Sequence, residues 1–251
     1  MLSYFQDFVI IVVVVAGALL FMVGVNLAWP WEKRRAHNDL IGWQLSILGT
    51  TYAVILGFML YAVWTNFEVA SQTVEQEAGA LANIYTVASA LPEPHRSQVQ
   101  KLARAYADAA MHTDWPQMSA GQLPEATLRI NDTMWHTMVN PQSGPLSEIE
   151  NKMIAELGKL TEYRRARLLQ SAERLPAVLW CVLLAGGILT ISSSCMFGAE
   201  SSRLHGLQVF AFSILIALCL VSIADIDRPF QGAVHVSDLA FDRALRLMDE
   251  N

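Results

Sequence analysis

Few residues of this sequence could act on a substrate, and their spacing does not assemble a reaction centre. His37, His95, His112, His136, His205 and His235 are scattered, and none has a histidine or cysteine four residues on. HExxH, GxSxG, GxxxxGK[ST] and GxGxxG are all absent. The chain therefore offers no zincin, hydrolase-elbow or phosphate-cradle signature. His112 and Asp114 form the one suggestive metal pair. Two ligands in an expected loop are too few for a site, so the pair is read as solvated. Cys181, Cys195 and Cys219 have neither CxxC nor CxxxC spacing. They read as small core or lipid-facing residues rather than as a disulfide framework. The expectation is no catalytic residue, no cofactor, no metal and no enzyme.

Polar residues embedded in apolar runs say more. Asn26, Thr50, Thr51, Tyr52, Tyr61, Ser192, Ser193, Ser194 and Asp225 interrupt or close such runs, and no ionisable side chain sits mid-run. A proton-coupled carrier needs a carboxylate or histidine there, so that class is disfavoured, whereas a lined pore needs none. Hydroxyls in such runs ordinarily bond helix to helix. One row at helical spacing, Thr51, Ile55, Phe58, Ala62 and Asn66, is apolar in its middle and polar at both ends. Several copies of it around an axis would form a constriction that gates by dewetting. The neighbouring row Tyr52, Leu56, Met59 and Val63 is a near-equal candidate, and ordinary helix packing is the alternative for either.

These residues need long apolar elements to hold them, and the composition supplies them. The chain has 251 residues, 53% hydrophobic and only 16% charged, against about 25% charged in soluble domains. A net charge of -6 gives no attraction to nucleic-acid phosphates. Phe8 to Trp29, Ile41 to Phe67, Leu175 to Gly198 and Gly206 to Ala224 are charge-free. Each is near or above the roughly 20 residues that cross a bilayer core, and in lipid each must be helical. The first run reads as a retained span: Asp7 precedes it without Lys or Arg, it is too long for a leader, and no A-x-A site follows. Trp29, Trp31, Trp43, Trp64 and Trp180 mark span ends as interfacial anchors.

Thr65 to Arg174 carries most of the charge. Phe67, Val74, Leu81 and Ala88 repeat every seven residues, with Ala70, Ile84 and Leu91 offset by three. The second span is therefore expected to continue as a stem until Pro92 and Pro94. Further helices are predicted over Glu93 to Met111, Pro124 to Val139 and from a capping box at Ser147 and Glu150 toward Arg174. Thr113 to Leu123 is predicted as a loop and Asn140 to Pro145 as a turn. The last helix is expected to feed the third span, with Pro176 either tolerated or making a kink. Glu75 and Glu77 lie as far from their span as Arg164 and Arg165 lie from theirs. The stems should then pair these acids with Arg164, Arg165 or Arg167, as exposed ion pairs worth about 0–1 kcal/mol. The fold expected is an all-α membrane protein: transmembrane helices 1 and 2 in residues 1–64, a helical extramembrane bundle in 65–174, transmembrane helices 3 and 4 in 175–226, and a tail over 227–251.

VWTNFEVASQTVEQEAGALANIY (Val63 to Tyr85), LPEPHRSQVQKLARAYA (Leu91 to Ala107) and SIADIDRPFQGAVHVS (Ser222 to Ser237) resemble the signature of the bestrophin-like proteins of bacteria, the DUF4239 group. The likeness covers nearly the whole chain. More distantly, Asp225, Asp227, Arg228, Pro229 and Phe230 are similar to the stretch that follows the fourth span of bestrophin ion channels. That resemblance implies a homo-oligomer, a pentamer, conducting inorganic ions through an apolar neck drawn from Ile55, Phe58, Met59 and Ala62. It implies no calcium clasp, because the dense acidic run of animal bestrophins is missing. Trp64, Thr65, Asn66 and Phe67 replace their Arg- and Trp-rich stretch, and ion polarity is not carried over. Short-segment charges tie on sidedness, with Lys33, Arg34, Arg35 and Arg203 against Arg228, Arg243 and Arg246. The resemblance places termini and insert in the cytoplasm and the spans in a bacterial inner membrane. The alternative function is a non-conducting scaffold or sensor whose insert binds a partner; a carrier would show an internal repeat, and none is present.

Overall fold

A charge-free run of twenty residues has no polar side chain to spare for its own backbone, and the helix is the form that leaves nothing to satisfy. The computed structural model describes residues 4–138 and 148–250, so the turn expected at Asn140 to Pro145 and the cap at Ser147 lie outside the described residues. Regular structure among them is helical throughout: α1 (Tyr4–Ala28), α2 (Trp31–Arg35), α3 (Asn38–Ala88), α4 (His95–Ala109), a π-helical turn (Ala110–Asp114), α5 (Trp115–Ser119), α6 (Ala126–Met138), α7 (Glu148–Ala172), α8 (Ala177–Cys195), α9 (Ser202–Ile226) and α10 (Leu239–Asp249). α1, α3, α8 and α9 are long and apolar enough to cross a membrane. α3 runs unbroken for 51 residues, about 76 Å at 1.5 Å per residue. The chain forms two compact units, one of residues up to Thr65 with Arg174–Asp227, the other of Asn66–Glu173 with Arg228 onward.

In the unit that holds the apolar helices, α1 packs chiefly along α9 and next along α8. Ala18, Met22, Cys195 and Val209 form one buried cluster. α3 joins through Tyr52, whose hydroxyl donates to the Leu183 carbonyl at 2.9 Å. Its ring fills the space where a Cβ on Gly186 would stand only 2.5 Å away. A second cluster gathers Val63, Leu183 and Ile223, with Ile55, Leu56 and Met59 packed against it.

The turns at one end of these helices are latched together. The last carbonyls of α8 have no partner within their own helix. Arg34, fully buried, donates Nη1 to the Cys195 carbonyl at 3.0 Å and Nη2 to the Asn26 side chain. Asn38 and Gly198 exchange two hydrogen bonds, at 2.9 and 2.8 Å. Gly198 is demanded by close approach, since a Cβ there would sit 2.6 Å from the Arg35 backbone nitrogen. Proline decides the entry to α8. The helix expected to pass from the insert into the third span is instead broken over residues 173–176, with Pro176 as the extended cap of α8. The proline ring disfavours helical geometry in the residue before it.

In the other unit the heptad side of α3 is buried as its spacing predicts, with Ala70, Val74, Leu81, Ile84 and Ala88 in one core. Tyr106, Met134, Met153, Leu157 and Leu160 complete it from α4, α6 and α7. Two segments differ from the sequence reading. The expected loop after Met111 is a π-helical turn followed by α5, begun by Pro116; Trp115 and Met118, three apart, are buried on its inner side. The tail, for which no element is predicted, carries α10, which is amphipathic and buries Ala240, Phe241, Ala244 and Met248 in this core.

Adding a methyl at Gly198 forces backbone against backbone, so Gly198→Ala should lower the thermal midpoint in detergent by the equivalent of about 1–3 kcal/mol. Gly158 on α7 has nothing within 4 Å of a built Cβ; Gly158→Ala should raise the midpoint by about 0.5–1 kcal/mol through helix propensity. Equal responses from the two variants would contradict the latch.

Candidate functional site

The pore row divides between two environments. Phe58 is 67% exposed, and Thr51 and Asn66 are exposed too. Ile55, Met59 and Ala62 are half-buried, with Ile55 and Met59 turned toward the Val63, Leu183 and Ile223 cluster. The outward face of this part of α3 is thus carried by Thr51, Val54, Phe58 and Tyr61, and Val54 and Tyr61 belong to it although the expected row omitted them.

Further along the same helix, Glu77 is fully buried and so is Arg167 of α7. Arg167 donates Nε to Glu77 Oε2 at 2.7 Å and Nη2 to Oε1 at 3.0 Å. The bidentate fork is the strongest geometry such a pair adopts. Tyr106 donates its hydroxyl to the same carboxylate at 2.6 Å. Asp114 stands 3.4 Å from Arg167 Nη2 and accepts from the Thr127 hydroxyl. Arg164 closes the network, donating to Thr127 Oγ1 at 2.7 Å and to the Pro124 carbonyl. The Arg167 guanidinium also lies 5.3 Å over the Trp115 ring. Burial disfavours its charge, but Glu77 outweighs that and holds Arg167 above the ordinary arginine range. Burial, and then the Glu77 charge, raises the Tyr106 phenol well above its ordinary value, so it stays a donor.

Glu75 does not join. It is exposed and pairs with Arg243 of α10, and Arg165 lies apart from the cluster on the outer side of α7. The stem pair is therefore a buried one, not the exposed one expected. The solvated His112–Asp114 pair is also corrected: His112 pairs with Asp108 at 3.0 Å, while the π-helical turn carries Asp114 inward to complete burial. Its Oδ1 has no hydrogen-bond partner among the described residues. Sequence reasoning missed Tyr106, Asp114 and Thr127 as members. Trp115 and Met118 at helical spacing were the available signal for α5, but nothing in the sequence marks the π turn.

After α9, Asp225 is buried. Asp227 accepts from the Leu175 backbone N–H at 2.9 Å. In the other unit, Pro229 accepts from the Val236 N–H, and Phe230 stands edge-on to Trp115 with centroids 5.7 Å apart. Arg228 is exposed. These contacts fix a turn and a core anchor.

The model of the bestrophin-like domain matches residues 12–241. No curated protein matches the chain. Among solved structures, a bacterial bestrophin homologue from Klebsiella pneumoniae with an isoleucine-to-threonine mutation is 15% identical, over 95% of this chain and 98% of that one, with TM-score 0.74. A membrane protein with a proline-to-alanine change is 14% identical, over 96% and 97%, with TM-score 0.75. Another with a leucine-to-alanine change is 17% identical, over 94% and 96%, with TM-score 0.70. These likenesses show the fold.

Removing one partner of the buried pair leaves the other charge stranded. Arg167→Ala and Glu77→Ala should each cost about 3–5 kcal/mol, read as thermal midpoints in detergent. The double variant should cost clearly less than their sum. Additive losses would mean that the two side chains act independently.

Proposed function

The chain belongs to the bestrophin-like family, and from that membership we propose that it is a homo-oligomeric ion channel, a pentamer, of the bacterial inner membrane. One α3 from each copy lines an apolar neck. The observation that supports this best is Phe58, a large aromatic left 67% exposed on the longest helix, with Thr51 and Asn66 ending its row. Copies of the same face around an axis would turn these rings toward one another. Phe58 then makes the constriction, Ile55 and Ala62 form its shoulders, and Met59 supports it from within its own copy.

A ring of this kind sheds water, and an ion crossing it loses hydration that no lining group replaces, a barrier of several kcal/mol. Residues 65–174 and the tail form the cytoplasmic part, and both termini lie on that side. The cargo is an inorganic ion, and the bilayer is the other partner.

Flux through liposomes of the reconstituted protein tests the reading. Phe58→Ala should raise ion flux by about tenfold for each 1.4 kcal/mol removed from the barrier, with unchanged oligomer mass by light scattering. If the wild type, Phe58→Ala, Ile55→Ala and Met59→Ala are all silent, the scaffold reading replaces the channel.

A further inference from the structure

Two clefts lie along α3 in the unit of apolar helices, and they differ in polarity. One, of about 500 Å³, is lined by Ser46, Thr50, Ser194, His205 and Gln208 among others. The next, of about 270 Å³, is lined by Ala53, Leu56, Gly57, Leu215, Ile216 and Cys219 among others. They share Gly49 and Phe212, so they form one seam, polar at one end and apolar along the rest.

The polar end holds exposed hydroxyl and amide donors that bond to nothing among the described residues. Thr65, Thr73 and Thr86 of α3 each donate to the carbonyl four residues back at 2.9 Å. Ser46 and Thr50, one turn apart on the same helix, make no such bond, and Gln208 has no partner among the described residues either. His205 has Nε2 within 3.0 Å of the Ser194 carbonyl. Ser46 and Thr50 lie about 12 and 18 Å along α3 from Asn38 at 1.5 Å per residue. At that depth in a bilayer, water is scarce and an unpaired donor is costly. No charged residue lines either cleft, so the group that answers these donors is a neutral acceptor. The floor is open: a Cβ built on Gly49 or Gly57 meets nothing within 4 Å.

We propose that this seam holds one glycerolipid, its ester carbonyls accepting hydrogen bonds from Ser46, Thr50 and Gln208, and one acyl chain lying along Ala53, Gly57 and Leu215. Ester carbonyls are acceptors without donors of their own, the complement of what the seam offers. A helix of a second copy brings a backbone already bonded to itself and would have to answer the three donors with polar side chains of its own.

The test uses the full-length protein in vesicles of phosphatidylethanolamine and phosphatidylglycerol, doped with phosphatidylglycerol bearing a diazirine midway along one acyl chain. After illumination, labelled peptides are mapped by mass spectrometry. Label should concentrate on residues 49–60 and 212–219, about fivefold or more above that on the outward face of α8 at Val178, Val182 and Leu189. Ser46→Ala with Thr50→Val, which removes donors at little cost in shape, should lower the seam label by about fivefold or more at unchanged oligomer mass. Gly49→Leu with Gly57→Leu should abolish it. Seam label no higher than on α8, or label indifferent to the Ser46→Ala/Thr50→Val pair, overturns the proposal. So does a disulfide between copies through Gly57→Cys, which would show that protein occupies the seam.

Discussion

The insert is organised around one requirement: an acid and a base on facing helices must both leave water. Desolvating Glu77 and Arg167 costs several kcal/mol per ion, and only complete bonding offsets that. The surrounding residues supply it. Tyr106 fills a remaining acceptor site of Glu77, Asp114 approaches Arg167 Nη2, which Glu77 also engages, and Trp115 covers the guanidinium face. The π-helical turn is the backbone's part in this arrangement. A regular continuation of α4 would present residue 114 at another angle. One extra residue in that turn directs the carboxylate inward, and such bulges recur where a side chain has a task.

A second buried arginine follows a different rule. Arg34 forms an ion pair with no carboxylate among the described residues. It is held by the carbonyl end of α8 and by Asn26, using the partial negative charge that gathers at a helix C-terminus. Its Nε is buried without a partner among the described residues, and burial pulls its pKa below the ordinary arginine value. Arg167 is thus held by formal charge, and Arg34 by dipoles. The two differ because Arg34 lies in a turn that seals helix ends, where free carbonyls are plentiful.

Much of this was legible in the sequence. The four charge-free runs gave the apolar helices, because lipid leaves a backbone only one solution. The seven-residue spacing from Phe67 to Ala88 gave the stem, because each of those positions faces the same core. Matched distances from the span ends brought Glu77 opposite Arg167. What stayed hidden depends on contacts distant in sequence. The inward turn of Asp114 is chosen by Arg167, and the order of α10 by the core it covers. Local propensity carries neither. The break before α8 was legible in Pro176, and the helical pattern on either side masked it.

The order of synthesis gives the buried pair one more consequence. Arg167 follows Glu77 by 90 residues, so at 5–20 residues per second the acid waits about 5–18 s for its base. Until then the growing chain holds two carboxylates, Glu77 and Asp114, with no cation to share. Phe241, which abuts Trp115 edge-on at 5.8 Å, emerges later still. The core of the insert is therefore closed only once the chain's last third has emerged. A ribosome stalled before α7 would leave the long helix made, its apolar half ready for the bilayer, and its acidic half still wet.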